Sequence, residues 1–211
     1  VGQFEKAKNI GEKIDDQELR EEIINFLIYR TSLDFIEKDK FKEADELLEK
    51  NSNQIQKAAT LVVGGQKFIS DKDFTQAKEW LYKAEKSFKK NKTSDEDWIN
   101  IGFGIASGYA RFEPFEAIKI LEESSKLITK DTKNYNRNNA PLAIGFSGLI
   151  FSDFTNGTKN FSIDSAVISI PKENFEDVLS ALNKIENPQA KGLAIIKLSR
   201  SMLKKINIKN V

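Results

Sequence analysis

The chain has 211 residues, enough for one large domain or a short array of repeats with a substantial apolar core. Its 33 basic and 32 acidic residues nearly cancel, and only five of the basic residues are arginine, so the chain lacks the basic excess typical of nucleic-acid-binding proteins. The absence of cysteine and histidine excludes disulfides, thiolate nucleophiles, the usual zinc sites and the commonest general base.

The sequence says little about cellular location. No apolar run approaches the roughly 18–20 residues needed to cross a bilayer, so no membrane span is predicted. The chain begins with Val1 rather than methionine, and we therefore expect a processed or truncated N-terminus. A cytoplasmic and an exported location both stay open.

Apolar residues recur at helical spacing along most of the chain. Asp15 or Asp16 is expected to cap one helix and Thr93–Glu96 to begin another, whereas Pro114 and Pro188 suit first helical turns. These signals predict ten helices, at residues 3–13, 16–38, 41–50, 54–70, 74–90, 95–111, 114–129, 139–151, 173–185 and 188–206. The short connections between most of them predict antiparallel neighbours.

Residues 152–171 depart from this pattern. Asn156-Gly157 is a hairpin-type turn signal, because both residues tolerate positive φ. The flanking residues are aromatic or β-branched with partial alternation, and they are Phe151, Phe154, Phe161, Ile163, Val167, Ile168 and Ile170. This composition predicts a small β-hairpin or a long loop inserted among the helices. Such an insertion either serves the function or covers an exposed end of the core.

An internal repeat is the most informative feature of the sequence. Phe4, Phe41, Phe74, Phe115 and Phe175 each stand three residues before an aliphatic residue, at or near a predicted helix start. Their spacings are 37, 33, 41 and 60 residues, and the last becomes about 40 without the 152–171 insertion. A period of 33–41 residues is typical of helix-pair solenoids. We therefore expect residues 1–211 to form a single all-α helical-repeat domain of about five antiparallel helix pairs.

The unit from Ala58 to Asn91 resembles the tetratricopeptide repeat. Large and small residues alternate in its two helices as they do in that family, at Leu61, Gly64, Gly65, Phe68, Phe74, Ala77, Leu81 and Ala84. In the following unit Phe115 and Ile118 keep the register, but Glu122 breaks the pattern. The resemblance implies a right-handed α-solenoid in which Gly65 lets its two helices approach closely.

The linking segments also resemble those of divergent helical repeats in uncharacterised bacterial proteins. The examples are Ile14-Asp15-Asp16 followed by Arg20, and Ile185-Glu186-Asn187-Pro188. This second resemblance implies a fold and no activity.

Gly102-x-Gly104-x-x-x-Gly108 has the look of a phosphate-binding loop. Such a loop follows a strand and lies at a helix N-terminus, whereas this motif lies inside the helical pattern that begins near Asp95. Close helix packing is the favoured interpretation. The acidic pairs lack the spacing of calcium loops or catalytic carboxylates. We therefore expect no catalytic residue, no bound metal and no cofactor.

The repeat register predicts a partner-binding surface on the concave face. Its residues lie on successive first helices and are Tyr29, Leu33, Gln66, Asn100, Phe103, Ser107 and Arg111. Exposed aromatic residues beside an arginine are typical anchors for a peptide or protein partner. The alternative for Leu33 and Phe103 is that they belong to the core.

These observations predict a non-catalytic scaffold that binds a protein or peptide, with no nucleic acid as partner and no membrane span. Two alternatives stay open: a small-molecule or glycan sensor closed by Phe154 and Phe161, and a structural accessory domain of a larger protein. An open groove with exposed Tyr29, Phe103 and Arg111 favours peptide binding, whereas a closed pocket under the insertion favours a small ligand.

Overall fold

The computed structural model describes residues 2–130, 132 and 161–206, with the side chains of 2, 3 and 204–206 left out. The α-helices in these ranges are α1 Gly2–Gly11, α2 Gln17–Glu37, α3 Phe41–Leu48, α4 Gln54–Ser70, α5 Phe74–Asn91, α6 Glu96–Tyr109, α7 Pro114–Lys126, α8 Ile163–Ser169, α9 Phe175–Leu182 and α10 Pro188–Ile206, and a 3₁₀ turn at Lys172–Asn174 precedes α9. Over the described residues the prediction of an all-α protein is confirmed. None of these helices combines the length and the apolar content that crossing a membrane requires.

The predicted helix starts are confirmed where short polar side chains cap them. Asp16 accepts a 2.9 Å hydrogen bond from the Leu19 amide, and Asp95 accepts one of 2.8 Å from the Asp97 amide. Pro114 is the first residue of α7, where its missing N–H leaves no hydrogen bond unmade. Local chemistry therefore places these helix boundaries with little help from the rest of the fold.

The turns that end α2 and α4 have the same hydrogen bond, 33 residues apart. The Lys40 amide donates to the Phe35 carbonyl at 2.8 Å, and the Asp73 amide donates to the Phe68 carbonyl at 2.9 Å. This bond closes a Schellman motif, which satisfies carbonyls at the helix end and reverses the chain within three residues. The repeat in the sequence is thus matched by a repeat in backbone geometry.

Both turns pass through a left-handed residue that is not glycine, with φ of 57° at Asp39 and 64° at Lys72. The third turn, after α6, differs because the next helix begins with Pro114, which has no N–H to donate. There the Glu113 amide donates to the Tyr109 carbonyl at 2.7 Å instead. Counted from the carbonyl that accepts this bond, α7 begins after five residues, whereas α3 and α5 begin after six.

The shorter turn moves the register of α7 one residue earlier. The amides of Ala44, Ala77 and Ala117 each make a 3.0 Å bond to the residue that precedes their helix, and all three side chains are fully buried. Ala117 therefore occupies the buried small position, and the expectation that Phe115 and Ile118 keep the register is wrong by one residue. Phe115 is 77 % exposed.

The corrected register also removes the break attributed to Glu122. Leu121 takes the position of Leu48 and Leu81, and all three are buried. The misalignment arose because α7 has apolar residues at both Ala117 and Ile118, so either one satisfies an aromatic-plus-aliphatic pattern.

Each of the helices α2, α4 and α6 packs against the next helix in the chain and against the next even-numbered helix. Thus α2 contacts α3 and α4, α4 contacts α5 and α6, and α6 contacts α7 and α8. In addition α5 contacts α6, α7 contacts α9, and α10 contacts both α8 and α9. Buried apolar side chains from α2 to α10 form one continuous cluster, with Trp80, Phe88 and Phe103 among its largest members.

The described part of the 152–171 insertion is helical, so the β-hairpin or long-loop interpretation is wrong for that part. Ile163–Ser169 forms α8, capped by the Ser162 hydroxyl, and buries Ala166 and Val167. β-branched residues resist a helix by only a few tenths of a kcal/mol each, which the packing of α8 against α6 and α10 offsets. Phe154, the Asn156-Gly157 turn and the predicted helix 139–151 lie outside the described residues.

Candidate binding site

Four of the seven predicted concave-face residues are buried: Tyr29, Leu33, Asn100 and Phe103. Tyr29 is 1 % exposed and Phe103 is fully buried, so the expectation that they anchor a partner in an open groove is wrong. The reason is that α2 packs against α1, α3 and α4, and α6 packs against α4, α5, α7 and α8. The alternative that Leu33 and Phe103 are core residues is confirmed.

The other three predicted residues do not share one surface role. Gln66 is half-buried, and its Nε2 atom donates to the Gly104 carbonyl at 3.4 Å, across the α4–α6 contact. The Ser107 hydroxyl lies 3.1 Å from the Ser169 hydroxyl, across the α6–α8 contact. Arg111 is exposed in the turn after α6. Gln66 and Ser107 therefore link helices to one another.

Phe161 packs into the core. Its side chain is 4 % exposed, and a Cβ atom added to Gly104 would lie 2.9 Å from its Cδ1 atom. The ring thus fills the space that the missing side chain of Gly104 leaves on α6. The ring is therefore a core contact. The alternative of a small-ligand site closed by Phe154 and Phe161 stays a prediction, because Phe154 lies outside the described residues.

The glycine motif in α6 serves packing, as the sequence analysis favoured. An added Cβ atom would lie 2.0 Å from the Ser124 hydroxyl at Gly102 and 2.8 Å from Leu81 at Gly108. Gly65 likewise stands where a Cβ atom would lie 2.8 Å from Leu81 Cγ, which confirms the close approach of α4 and α5. Distances below 3.0 Å leave no room for a side chain.

A buried polar cluster joins three helices. Glu85 of α5 is 6 % exposed and accepts a 2.9 Å hydrogen bond from the Tyr109 phenol of α6. Lys89 forms an ion pair with Glu85 and lies 3.9 Å from Glu116 of α7. Burial lowers the pKa of Lys89, but the hydrogen bond and charge of Glu85 outweigh it, so this pKa is raised.

The same cluster keeps Tyr109 protonated. Burial, followed by the hydrogen bond and charge of Glu85, raises the pKa of Tyr109 well above its usual value. A phenol held in its neutral form is a poor base or nucleophile, so we assign the cluster to stability. Among the described residues, no three aspartate or glutamate side chains are grouped as a metal site requires.

Within the part of the chain that the structure describes, a cavity of about 250 Å³ between α8, the 3₁₀ turn, α9 and α10 has the chemistry of a binding site. Its apolar lining residues are Val167, Ile168, Ile170, Pro171, Phe175, Val178, Leu198 and Met202. Lys172 and Ser201 are its polar lining residues. This combination of apolar walls with a few polar groups is typical of binding sites in proteins.

The size of the cavity limits what it accommodates. Small-molecule sites usually span roughly 300–1,000 Å³, whereas an apolar cavity of roughly 150 Å³ admits a benzene molecule. At about 250 Å³, this one fits a single aromatic side chain or a branched aliphatic one with its flanking atoms. Met202, with three rotatable bonds, lets the wall adapt to the occupant.

Sequence reasoning missed this cavity. Its walls come from the stretch expected to be a hairpin or loop and from two helices that the repeat pattern treats as ordinary units. The available signal was the density of apolar residues from Val167 to Val178, together with the only methionine of the chain at Met202. Neither signal points to a cavity without the packing of α8 on α10.

Comparison of the chain with protein-family models, with curated proteins and with solved structures finds no match.

Proposed function

We propose that this chain is a non-catalytic, tetratricopeptide-like helical-repeat scaffold that binds a peptide segment of a protein partner. The observation that carries the proposal is the apolar cavity between α8, α9 and α10, whose volume of about 250 Å³ suits one large apolar side chain of a peptide. Binding thus uses the region of the insertion, and the concave-face residues serve the core.

The architecture that fits this function is a right-handed α-solenoid of antiparallel helix pairs. Two observations support it: the Schellman turns repeat after 33 residues, and α2, α4, α6 and α8 contact one another in series. Connections of three residues at Lys38–Lys40 and Asp71–Asp73 favour antiparallel packing within each pair. Solenoids of this kind commonly present peptide-binding surfaces.

The polar lining residues suggest how a peptide is oriented. Lys172 carries three N–H donors, whereas the Ser201 hydroxyl donates to the Leu198 carbonyl at 2.7 Å and is left as an acceptor. With an apolar anchor in the cavity, Lys172 is suited to a backbone carbonyl or an acidic side chain beside the anchor, and Ser201 to a backbone amide. We therefore expect an aromatic or branched aliphatic anchor with an acidic neighbour.

A glycan or small-molecule sensor fits less well. Glycans need several hydrogen-bonding partners, whereas the described lining offers two polar side chains among apolar ones. A drug-sized ligand exceeds the volume of the cavity. A nucleic-acid partner is disfavoured by the near balance of charge, at a formal net charge of +1.

The proposal is tested by selecting short peptides from a random displayed library against the purified chain and measuring their affinity by fluorescence anisotropy. We expect the enriched peptides to share one aromatic or branched aliphatic anchor. Met202→Trp, which fills the cavity from its wall, should weaken their binding by at least about tenfold, equivalent to about 1.4 kcal/mol.

The matched control is Leu193→Trp, on the opposite side of the same helix, which is 43 % exposed and outside the cavity lining. Peptides that bind wild type and Met202→Trp equally well would locate binding elsewhere and sink the proposal. Enrichment without a shared anchor would do the same.

A further inference from the structure

Met202 carries the only sulfur atom of the chain, which has one methionine and no cysteine. Its side chain is half-buried and lines the apolar cavity between α8, α9 and α10. Sulfur-containing side chains are the usual targets of mild oxidants, and their reaction depends on access from solvent. Both tryptophans, Trp80 and Trp98, are buried. A mild oxidant therefore has one preferred target in this chain, and that target lies in the wall of the candidate binding site.

Oxidation of the Met202 thioether by a peroxide is a balanced two-electron step. The sulfur lone pair attacks one peroxide oxygen, the O–O bond breaks, and an S=O bond forms. The transferred oxygen gives up its proton to the departing one, so hydrogen peroxide leaves as water. The sulfur is oxidised and the peroxide is reduced. The product, methionine sulfoxide, has a polar oxygen where the thioether had none.

The cavity is a poor environment for that oxygen. Its lining is apolar apart from Lys172 and Ser201. The Ser201 hydroxyl already donates to the Leu198 carbonyl at 2.7 Å, so Lys172 is the donor left in the described lining. An apolar anchor in the cavity would either strip water from the sulfoxide oxygen or compete with it for Lys172, the group expected to bind the acidic neighbour of the anchor. Both results weaken binding, because a buried acceptor without a partner is costly.

We propose that Met202 is a redox modification site: a peroxide converts its thioether into the sulfoxide, which lowers the affinity of the cavity for an apolar anchor. This role rests on the proposed function, because it assigns a regulation to the same cavity. The change is reversible, since methionine sulfoxide reductases restore the thioether while two thiols become a disulfide and water is released. The scaffold thus releases its partner under peroxide and binds it again after reduction.

The first measurement asks whether Met202 reacts in the folded protein. The chain is labelled isotopically at the methionine methyl group, which gives one NMR signal because there is one methionine, and is treated with hydrogen peroxide. We expect the signal to convert to that of the sulfoxide with unchanged helix content by circular dichroism, since the side chain is only half-buried. Conversion only after unfolding in urea would overturn the proposal. Loss of helix content on oxidation would also do so.

The second measurement is binding. The peptide enriched against the untreated chain is titrated by fluorescence anisotropy with untreated, oxidised and re-reduced protein. We expect oxidation to weaken binding by about tenfold or more. Treatment with methionine sulfoxide reductases of both stereospecificities and dithiothreitol should restore it. Equal affinity of the untreated and oxidised forms would show that the sulfoxide does not control the cavity.

Met202→Leu is the matched control, because it removes the sulfur and keeps an apolar side chain of similar volume. Each protein is compared with itself before and after peroxide, so the two proteins need not have the same starting affinity. Peroxide should leave the affinity of Met202→Leu where it was. A comparable loss in this variant would place the sensitive group elsewhere and refute the assignment.

Indole, the ring of a tryptophan side chain, separates this inference from the proposed function. It is added to the labelled chain, and its binding is followed at the Met202 methyl signal. If no peptide is enriched but indole binds the untreated form about tenfold more tightly than the oxidised form, the proposed function fails and the redox site stands. If no peptide is enriched and indole shifts the signal of both forms equally, or of neither, the redox site fails as well. Peptides that bind both forms equally would leave the proposed function and remove the redox site.

Discussion

The phenolic oxygen of Tyr109 in α6 donates a 2.9 Å hydrogen bond to the Oε2 atom of Glu85 in α5, inside the protein. Lys89 pairs with the other carboxylate oxygen of Glu85. A buried carboxylate is costly unless its hydrogen bonds are made, so Glu85 depends on both partners. The pair thereby ties α6 to the preceding helix, and it gives the first of four predictions.

Tyr109→Phe removes the hydroxyl donor and leaves the Oε2 atom of Glu85 without this hydrogen bond. Because a hydrogen bond to a buried charge is worth about 1.5–3 kcal/mol, we expect the free energy of unfolding to fall by about 2 kcal/mol in urea denaturation. Tyr82→Phe is the matched control, since Tyr82 is 60 % exposed, and it should change the value by less than about 0.5 kcal/mol. Equal stability of the two variants would mean that the Glu85 contact contributes nothing.

Tyr29 should make the protein sensitive to alkaline pH. Burial raises the pKa of Tyr29 to about 12, although the nearby charge of Arg30 lowers it. Because the unfolded chain has a pKa of about 10 there, the neutral phenol stabilises the fold fully below about pH 10. That contribution is lost as the pH rises through about 12 and amounts to about 2–3 kcal/mol.

Tyr29→Phe should therefore make the free energy of unfolding less dependent on pH between about 10 and 12. The measurement is urea denaturation at several pH values, with tyrosinate absorbance followed in parallel. Lysines also titrate in this range and affect both proteins. The free energy of unfolding of the variant is therefore compared with that of wild type at each pH. Parallel stability curves for wild type and variant would contradict the prediction.

Gly64 should not tolerate even one added methyl group. A Cβ atom there would lie 2.2 Å from Cε3 of Trp80, and Trp80 is itself 3 % exposed, so the indole has no free space to enter. We expect Gly64→Ala to lower the free energy of unfolding by about 1–3 kcal/mol through overpacking.

Gly192→Ala is the matched control, because nothing lies within 4 Å of a Cβ atom at that helical position. Alanine has the higher helix propensity, so this change should raise stability by about 0.5–1 kcal/mol. Opposite signs for the two substitutions in thermal and urea denaturation support the packing argument. Loss of stability at Gly192 as well would contradict the packing argument, because no atom there opposes the added methyl group.

Lys72 is held in the left-handed region at φ of 64°, where a Cβ atom costs roughly 1–2 kcal/mol. Lys72→Gly removes that cost, but glycine also raises the conformational entropy of the unfolded chain, which offsets part of the gain. We therefore expect the free energy of unfolding to rise by about 0.5 kcal/mol. The equivalent change Asp39→Gly should gain less, since aspartate tolerates this region better and Asp39 also pairs with Lys67 at 3.0 Å. Urea denaturation of both variants makes the comparison, and a larger gain at Asp39 would reverse the argument.

Local sequence rules performed well where the hydrogen-bonding partner is a few residues away. The Asp16 and Asp95 caps follow such rules, whereas the close packing at Gly65 was expected from the resemblance to the tetratricopeptide repeat. The same rules slipped by one residue at Pro114, because the missing N–H changes the turn and thus the register of α7. An apolar pattern alone does not tell Ala117 from Ile118.

Surface residues could not be separated from core residues in the same way. Tyr29 and Phe103 lie on helices whose exposure depends on neighbours far away in the sequence, and both are buried because those neighbours surround α2 and α6. The residues after Phe161 have strand-like composition yet form a helix, since burying Ala166 and Val167 outweighs their weak preference.

Helix type, caps and the period of about 33–41 residues follow from interactions between residues a few positions apart, and these are legible in the order of the amino acids. The cavity between α8 and α10 and the burial of the Glu85 cluster depend on contacts between helices that are distant along the chain. Such contacts follow from how volumes fill space, and an apolar residue looks the same in a sequence whichever neighbour it packs against.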